Sequence, residues 1–126
     1  MKFLVLDDDE ERHTKFESLL GGPKNSVTHV YNLRNFIAEI TVNVFDVIFL
    51  DHDLYDFKDL PDGSHVEFTG YDAAKALSLL PIANRPRQVF VHSWNPDGAR
   101  RMMDCLKDNN FNVTRWVFDP KANVRF

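Results

Sequence analysis

The sequence predicts an α/β fold, a doubly wound five-stranded parallel sheet with helices on both faces. Short apolar runs of strand length alternate along the chain with stretches whose apolar residues have helical spacing. The run Phe45–Leu50 is almost wholly apolar, as expected for a central strand covered on both faces. A strand order of 2-1-3-4-5 is a common solution for such a sheet. We expect one domain over residues 1–126.

Local signals give the bounds of the elements. Apolar residues on one face of the first helix are followed by Gly21-Gly22-Pro23, which ends it. Asn32 is a capping residue for the second helix, Pro81 follows the third, and Asn95-Pro96 opens the fourth. The predicted strands are Lys2–Leu6, Ser26–Tyr31, Phe45–Leu50, Gln88–Val91 and Val113–Phe118. The predicted helices are Glu10–Leu20, Leu33–Ile40, Tyr71–Leu80 and Arg100–Lys107.

Two segments fall outside this alternation. Tyr55–Thr69 is rich in acids and has no sustained period, so we predict an insertion loop beside the carboxyl ends of the strands. A loop of this length in a compact domain is usually functional or disordered. The tail Asp119–Phe126 is too short for a full closing helix, so the final helix of the fold is expected to be missing or vestigial.

Composition narrows the function classes. A hydrophobic content of 44% is typical of a soluble globular domain, and the net charge of −4 argues against a general nucleic-acid-binding surface. A nucleotide or an RNA end held locally through a metal is still compatible with that charge. Cys105 is the single cysteine, which excludes an intrachain disulfide and a multi-cysteine zinc site. The N-terminus resembles neither a signal peptide nor a membrane span, so a cytoplasmic protein is expected.

Polar clusters follow three of the predicted strands. They are Asp7-Asp8-Asp9 after the first strand, Asp51-His52-Asp53 after the third and His92-Ser93-Trp94-Asn95 after the fourth. The order 2-1-3-4-5 places these three strands side by side, and ligands bind beyond the carboxyl ends of strands in open parallel sheets. The clusters therefore predict one shared polar pocket.

The carboxylates indicate a divalent cation. Asp7, Asp8 and Asp51 cannot easily share a small volume as bare anions, and a cation removes that conflict. Carboxylate oxygens with water suit Mg²⁺ or Mn²⁺. Asp53 would add a side-chain ligand or only a backbone carbonyl. The alternative is that the first acidic cluster merely caps the first helix, which leaves the second cluster unexplained.

The two strand-end histidines, His52 and His92, are candidates for proton transfer. Beside a metal they would serve as general base and general acid on a phosphoester. However, successive residues of a strand point to opposite faces, so if Asp51 and Ser93 face the pocket, both histidines point beneath the helices. A hydrogen-bonded structural role is the alternative.

The segment after the fourth strand is suited to an anion. Ser93 could donate to a phosphoryl oxygen or attack as a nucleophile, and helix N-terminal amides bind phosphate. Asn95, Gly98 and Arg100 would contact the same substrate, with Gly98 allowing close approach. A plain turn with a helix cap is the alternative reading. Trp94 would stack on a base or serve as a core or lid residue.

The order of acidic pair, strand-three aspartate and strand-four hydroxyl resembles the receiver domain of response regulators. The resemblance implies that Asp7 and Asp8 bind Mg²⁺, that Asp51 accepts a phosphoryl group and that Ser93 is the hydroxyl residue. Receivers carry a lysine at the end of strand five, where this chain has Phe118-Asp119-Pro120 and reaches Lys121 only afterwards. The absent closing helix and the Tyr55–Thr69 insertion are further departures.

A narrower family fits better. The motifs LDDD…R (Leu6–Arg12), LDHDL (Leu50–Leu54), GYDAA (Gly70–Ala74) and HSWNPDGARRM (His92–Met102) resemble the cyclic-phosphate-processing receiver-like family of bacteria and phages. This resemblance implies metal-dependent action on a cyclic nucleotide or on a 2′,3′-cyclic phosphate at an RNA end.

The leading hypothesis is therefore a metal-dependent phosphoesterase, in which the insertion closes over the substrate. One alternative is a catalytically inactive pseudo-receiver that acts as a protein-interaction module, since a sheet face left uncovered by the missing helix invites association, including a homodimer. Another is a phospho-accepting receiver that uses Asp51.

Overall fold

A computed structural model describes residues 1–116 of the chain. Its strands are β1 (Lys2–Leu6), β2 (Ser26–Val30), β3 (Val47–Leu50), β4 (Asp56–Asp59), β5 (His65–Phe68), β6 (Gln88–Val91) and β7 (Val113–Arg115). Its helices are α1 (Glu10–Leu20), α2 (Leu33–Val42), α3 (Gly70–Ser78) and α4 (Pro96–Asp108). A short 3₁₀ turn spans Ile82–Asn84.

Five parallel strands form the main sheet in the order β2-β1-β3-β6-β7. Because β6 and β7 are the fourth and fifth of the predicted strands, the predicted order 2-1-3-4-5 is confirmed. The register pairs Leu6 with Leu50 and Leu50 with Val91. The strands β1, β3 and β6 therefore end level with one another, and the residues that follow them emerge at one edge.

Alternate residues of the central strands pack on opposite faces of the sheet. Leu4, Leu6, Ile48 and Leu50 belong to a core shared with α2, α3 and α4. Their neighbours Phe3, Val5, Val47 and Phe49 pack with Phe16 and Leu20 of α1. Helices thus cover both faces, as the doubly wound prediction requires.

Helix starts differ from the sequence-based bounds where capping side chains act. Asn95 Oδ1 accepts from the amide of Gly98 at 3.0 Å, so α4 begins at Pro96. This confirms the Asn95-Pro96 start signal, whereas the apolar period placed the start at Arg100. Thr69 and Asp72 form a capping box that starts α3 at Gly70 rather than at Tyr71. In both cases the first turn has few apolar residues, so periodicity alone places the start too late.

The insertion is regular, contrary to the prediction of an irregular loop. β4 and β5 form an antiparallel hairpin in which Asp56 pairs with Phe68 and Asp59 with His65. Its residues are mostly exposed, so no core selects an apolar period that sequence reading could detect. The amide of Gly70 donates to the carbonyl of His52 at 2.8 Å and closes the base of this hairpin.

Predictions for the C-terminus lie outside the described residues. These are the end of the fifth strand at Phe118, the replacement of the receiver lysine and the tail Asp119–Phe126 without a full helix. Within residues 1–116 no helix is long and apolar enough to cross a membrane.

Gly70 is where the fold leaves no room for a side chain. A Cβ there would overlap the carbonyl oxygen of Asp51 and press on the Met102 side chain. We expect Gly70→Ala to lower the free energy of unfolding by about 2 kcal/mol or more, as overpacking of a close contact does. Chemical denaturation measures this.

Gly22→Ala is the matched control, because a Cβ at Gly22 meets nothing nearer than Asn25 Nδ2 at 3.8 Å. Its effect should stay within about 0.5 kcal/mol. Equal stability of the two variants would contradict the close packing of α3 on the end of β3.

Candidate functional site

Three carboxylates meet at the level edge of β1, β3 and β6. Asp7, Asp8 and Asp51 each offer one oxygen, and these oxygens lie within 4.8 Å of one another. Asp7 and Asp51 are buried, and Asp8 is half-buried. The strand ends therefore assemble an acidic group that could bind a metal, as the sequence predicted from the same three residues.

Arg12 lies within this acidic group. Its Nε donates to Asp7 Oδ2 and its Nη2 to Asp7 Oδ1, both at 2.7 Å. Nη2 also lies 3.4 Å from Asp51 Oδ2 and 3.6 Å from Asp8 Oδ1. Sequence reasoning quoted Arg12 only as part of a motif and gave it no role. Its spacing of one helical turn after Asp8 was the available signal.

Asp7 is held by two side chains. His92 Nε2 lies 2.8 Å from Asp7 Oδ2, the oxygen that also accepts from Arg12 Nε. Burial by itself would raise the pKa of Asp7, but the hydrogen bonds from His92 and Arg12 outweigh it and hold the pKa well below its usual range. Asp7 is therefore a permanent anion at neutral pH.

The remaining carboxylates are not neutralised to the same degree. Burial, followed by the charge of Asp7, raises the pKa of Asp51 to about 7. The same two causes raise the pKa of Asp8. One guanidinium thus leaves the three carboxylates with excess negative charge. A set of carboxylate oxygens with excess negative charge suits a hard divalent cation, so the residues present fit Mg²⁺ or Mn²⁺.

The two strand-end histidines point away from the acidic cavity, as strand alternation indicated. His92 is 1% exposed and packs edge-on against Phe16 beneath α1. Burial lowers the pKa of His92, which keeps the ring neutral at pH 7. Within residues 1–116 its Nδ1 has no hydrogen-bond partner. This geometry favours the structural alternative for His92, with its visible role being to hold Asp7.

His52 lies against the start of α4. Its Nδ1 is 2.8 Å from Asp53 Oδ1 and 3.4 Å from Asn95 Nδ2. A Cβ on Gly98 would lie 2.5 Å from Cγ of His52. The close approach predicted for a ligand at Gly98 is therefore made by the His52 ring.

The other residues predicted to bind substrate are less close to the cavity. Ser93 is buried and its Oγ accepts from the amide of Asn95 at 3.1 Å. Asn95 caps α4 through its own Oδ1. Arg100 is largely exposed, with Asp97 at 3.8 Å. The structure brings Asp7, Asp8 and Asp51 together. Asp53, predicted as a further metal ligand, lines the same cavity as Asp8 and Asp51 but is not part of that group, and Arg100 does not line the cavity.

A cavity of about 400 Å³ opens above the carboxylates. Its walls are formed by acidic residues, one arginine and two aromatic residues: Asp8, Asp9, Arg12, Asp51, Asp53, Tyr55 and Trp94. Tyr55 and Trp94 are 78% and 68% exposed. Tyr55 has φ 47°, a left-handed conformation that is unfavourable for a bulky residue. Strained residues of this kind cluster at functional sites, and this one holds an exposed ring at the cavity.

A larger groove of about 670 Å³ runs between α1 and the edge strand β2, away from the three carboxylates. The polar side chains there are engaged with one another. His13 Nε2 lies 2.8 Å from the Asp7 carbonyl, His13 Nδ1 lies 2.6 Å from His29 Nδ1, and His29 Nε2 lies 2.7 Å from Glu17. We therefore take the smaller cavity as the candidate site, because Asp8 and Asp51 of the acidic group line it and do not line the larger groove.

The raised pKa of Asp51 has a consequence for stability. The folded protein keeps a proton on Asp51 that the unfolded chain loses above its ordinary pKa of 3.8. With metal removed by a chelator, this group should lower the free energy of unfolding by about 2 to 4 kcal/mol as pH rises from about 4 to 7. Denaturation of wild type and Asp51→Asn at each pH measures the difference.

The lowered pKa values of His13 and His92 make their contributions to stability rise with pH over part of that range. Comparing the two proteins cancels these contributions, because both proteins contain both histidines. The stability of Asp51→Asn relative to wild type should rise with pH. Parallel stability curves would contradict the raised pKa.

Solved structures of response regulators resemble this chain, among them the following two. One is a response regulator from Burkholderia pseudomallei with a phosphorylated aspartic acid, a calcium ion and citrate. It superposes with a TM-score of 0.63 and 16% sequence identity, and the match covers 95% of this chain and 62% of that one. The chain thus spans under two thirds of that regulator. The other is the receiver domain of Francisella response regulator 1452, with a TM-score of 0.62 and 19% identity over 94% of this chain and 86% of that one. Such likeness shows the receiver-like fold alone.

The family comparison is more specific. No curated protein sequence matches the chain. The model of the cyclic-phosphate processing receiver domain matches residues 2–108, which include all three polar clusters and the motif residues quoted above. The chain belongs to the cyclic-phosphate processing receiver domain family.

Proposed function

We propose that this protein is a metal-dependent phosphoesterase that opens or hydrolyses a cyclic phosphate, either a cyclic nucleotide or a 2′,3′-cyclic phosphate at an RNA end. The observation that carries the proposal is the convergence of oxygens of Asp7, Asp8 and Asp51 within 4.8 Å of one another. Asp8 and Asp51 line a cavity, and Asp7 is buried. Membership of a cyclic-phosphate-processing family supports the substrate class.

Asp7, Asp8 and Asp51 would hold Mg²⁺ or Mn²⁺ through carboxylate oxygens. Such an ion supplies Lewis-acid polarisation of a phosphoryl oxygen and lowers the pKa of bound water. The cavity has four carboxylates and one guanidinium, so it would repel a phosphate when no cation is bound. Substrate binding should therefore depend on the metal.

Asp53 is the residue through which His52 would act. Asp53 lines the cavity, and its Oδ1 lies 2.8 Å from His52 Nδ1, while the His52 ring lies behind it against Gly98. We assign Asp53 to accept or deliver a proton at the substrate and His52 to orient that carboxylate. His92 and Ser93, both buried, would act by positioning Asp7 and the turn before α4.

Tyr55 and Trp94 would contact the organic part of the substrate. Both rings are exposed and line the cavity that contains the carboxylates. Aromatic side chains at such sites stack on nucleobases of any sequence. A phosphate near the carboxylates with a base against these rings fits a nucleotide substrate.

The assay measures hydrolysis of the cyclic phosphate ring to a phosphomonoester for a panel of cyclic phosphates, with Mg²⁺ or Mn²⁺ present. The panel contains 3′,5′-cyclic nucleotides, 2′,3′-cyclic nucleotides and a short RNA with a 2′,3′-cyclic end. We expect turnover with at least one class, and a fall of at least about 100-fold in kcat/KM for Asp51→Asn and Asp8→Asn.

Asp104→Asn is the matched control, since it removes one exposed carboxylate from α4 outside the cavity. It should retain wild-type activity. Absence of turnover with every substrate and both metals would refute the esterase. If metal binding is also absent, the pseudo-receiver becomes the better description.

Trp94→Ala tests the stacking role. We expect KM to rise about tenfold for nucleotide substrates, with a smaller change in kcat, because loss of one base–aromatic stack costs about 1–3 kcal/mol of binding. Trp94→Phe should restore most of the affinity. A KM unchanged in Trp94→Ala would remove Trp94 from the substrate site.

A phospho-accepting receiver is the second candidate, because Asp51 lines the cavity beside the possible cation ligands. Intact-mass measurement after incubation with acetyl phosphate and Mg²⁺ tests it. A phosphoryl adduct present in wild type and absent in Asp51→Asn would favour the receiver over the esterase. Ser93 weighs against it, since its side chain is buried and does not line the cavity that contains Asp51.

A further inference from the structure

We propose that Arg12 is an internal cation that fills the metal position in the metal-free protein, leaves when a divalent cation binds and then binds the phosphoryl group. The last step rests on the proposed function; the exchange of Arg12 for metal does not. Three observations support this proposal. They are the positions of the Arg12 nitrogens, the saturation of the two Asp7 oxygens by hydrogen bonds, and the lack of another cationic side chain in the cavity lining within residues 1–116.

The Nη2 atom of Arg12 occupies the place where a cation would be coordinated. It lies 2.7 Å from Asp7 Oδ1, 3.4 Å from Asp51 Oδ2 and 3.6 Å from Asp8 Oδ1. These are the same three residues whose oxygens lie close enough to share a metal. One guanidinium nitrogen and a divalent ion therefore compete for one position.

Asp7 has no oxygen to spare while Arg12 is in place. Its Oδ1 accepts from Arg12 Nη2 and from the amide of Asp9, and its Oδ2 accepts from Arg12 Nε and is within 2.8 Å of His92 Nε2. A carboxylate oxygen has about two lone-pair sites, so both oxygens are saturated. Coordination by Asp7 requires at least one guanidinium N–H to leave.

Electrostatic repulsion also favours displacement of Arg12 by a bound cation. A divalent ion among Asp7, Asp8 and Asp51 would stand beside the guanidinium and repel it. Arg12 is 26% exposed at the cavity wall, and its flexible stem allows the head to move while α1 stays in place. Arg12 is also the sole cationic side chain that lines this cavity among residues 1–116. Once displaced it would face the cavity, where its planar fork suits phosphate oxygens.

The opposite role is a fixed strut that orders the carboxylates for the metal. The two roles predict opposite effects of removing Arg12 on metal affinity. A strut makes metal binding weaker when Arg12 is removed, whereas a competitor makes it tighter. Metal affinity is therefore the decisive quantity, and catalytic activity is not needed to measure it.

The first experiment titrates Mg²⁺, and separately Mn²⁺, into chelator-treated protein by calorimetry. We expect Arg12→Gln to bind about tenfold more tightly than wild type, because a competing charge is gone. Lys15→Gln is the matched control: it removes one positive charge from the next turn of α1, where Lys15 pairs with Glu11. It should bind like wild type. Equal or weaker affinity in Arg12→Gln overturns the exchange.

Loss of Arg12 leaves buried Asp7 with fewer partners and is expected to lower the stability of Arg12→Gln, so a second measurement uses the wild type. The Hε proton of Arg12, observed through its ¹⁵Nε–¹Hε resonance, should exchange slowly with water in the metal-free protein, because Nε donates to Asp7. Saturating Mg²⁺ should shift this resonance and accelerate its exchange at least about tenfold. A resonance unmoved by Mg²⁺ overturns the proposal.

Inorganic phosphate then tests the second half. At saturating Mg²⁺, phosphate should bind about tenfold more weakly to Arg12→Gln than to wild type and Lys15→Gln, although the variant holds metal more tightly. Equal phosphate affinity overturns the phosphoryl role and leaves the exchange intact. Because no arm measures turnover, failure of the esterase activity and failure of this inference are separable.

Discussion

The ion pair between Asp7 and Arg12 is the constraint around which the site is organised. Asp7 is 0% exposed at the end of β1, and an unpaired carboxylate there would be strongly destabilising. The Arg12 fork and His92 allow it to remain charged, and burial together with that charge raises the pKa of Asp8 and Asp51. One buried anion thereby connects the Asp9 amide, Arg12 of α1 and His92, and it contributes to the electrostatics of the cavity.

The sheet and the meeting of the carboxylates were predictable because both follow from backbone geometry. Parallel strands that end level carry their next residues to one edge, so Asp7 and Asp51 had to meet once the strand order was known. The same alternation indicated that His52 and His92 turn away from the cavity. The helical spacing of Arg12 after Asp8 was a signal for that pair alone. The sequence did not show that the same side chain also reaches Asp7 and Asp51, because a long side chain on a helix can reach several partners.

Periodicity failed where burial exerts no selection. The hairpin β4–β5 is mostly exposed, so its residues carry no alternating apolar signal, and its acids look like those of an irregular loop. The prediction for Gly98 failed for a related reason. Gly98 was expected to admit a ligand, whereas the space beside it is filled by the His52 ring from a distant part of the chain. A glycine in the sequence indicates that a position has no room for a side chain, but only the fold shows which group fills the space beside it.

The hydrogen bond from Gly70 to the His52 carbonyl joins the two ends of a long segment. The polypeptide leaves the end of β3 and returns to the start of α3 at adjoining points, so residues 53–69 form an excursion from the parallel sheet. Asp53 and Tyr55 of this excursion line the cavity. Part of the cavity wall is therefore built by a segment that lies outside the parallel sheet.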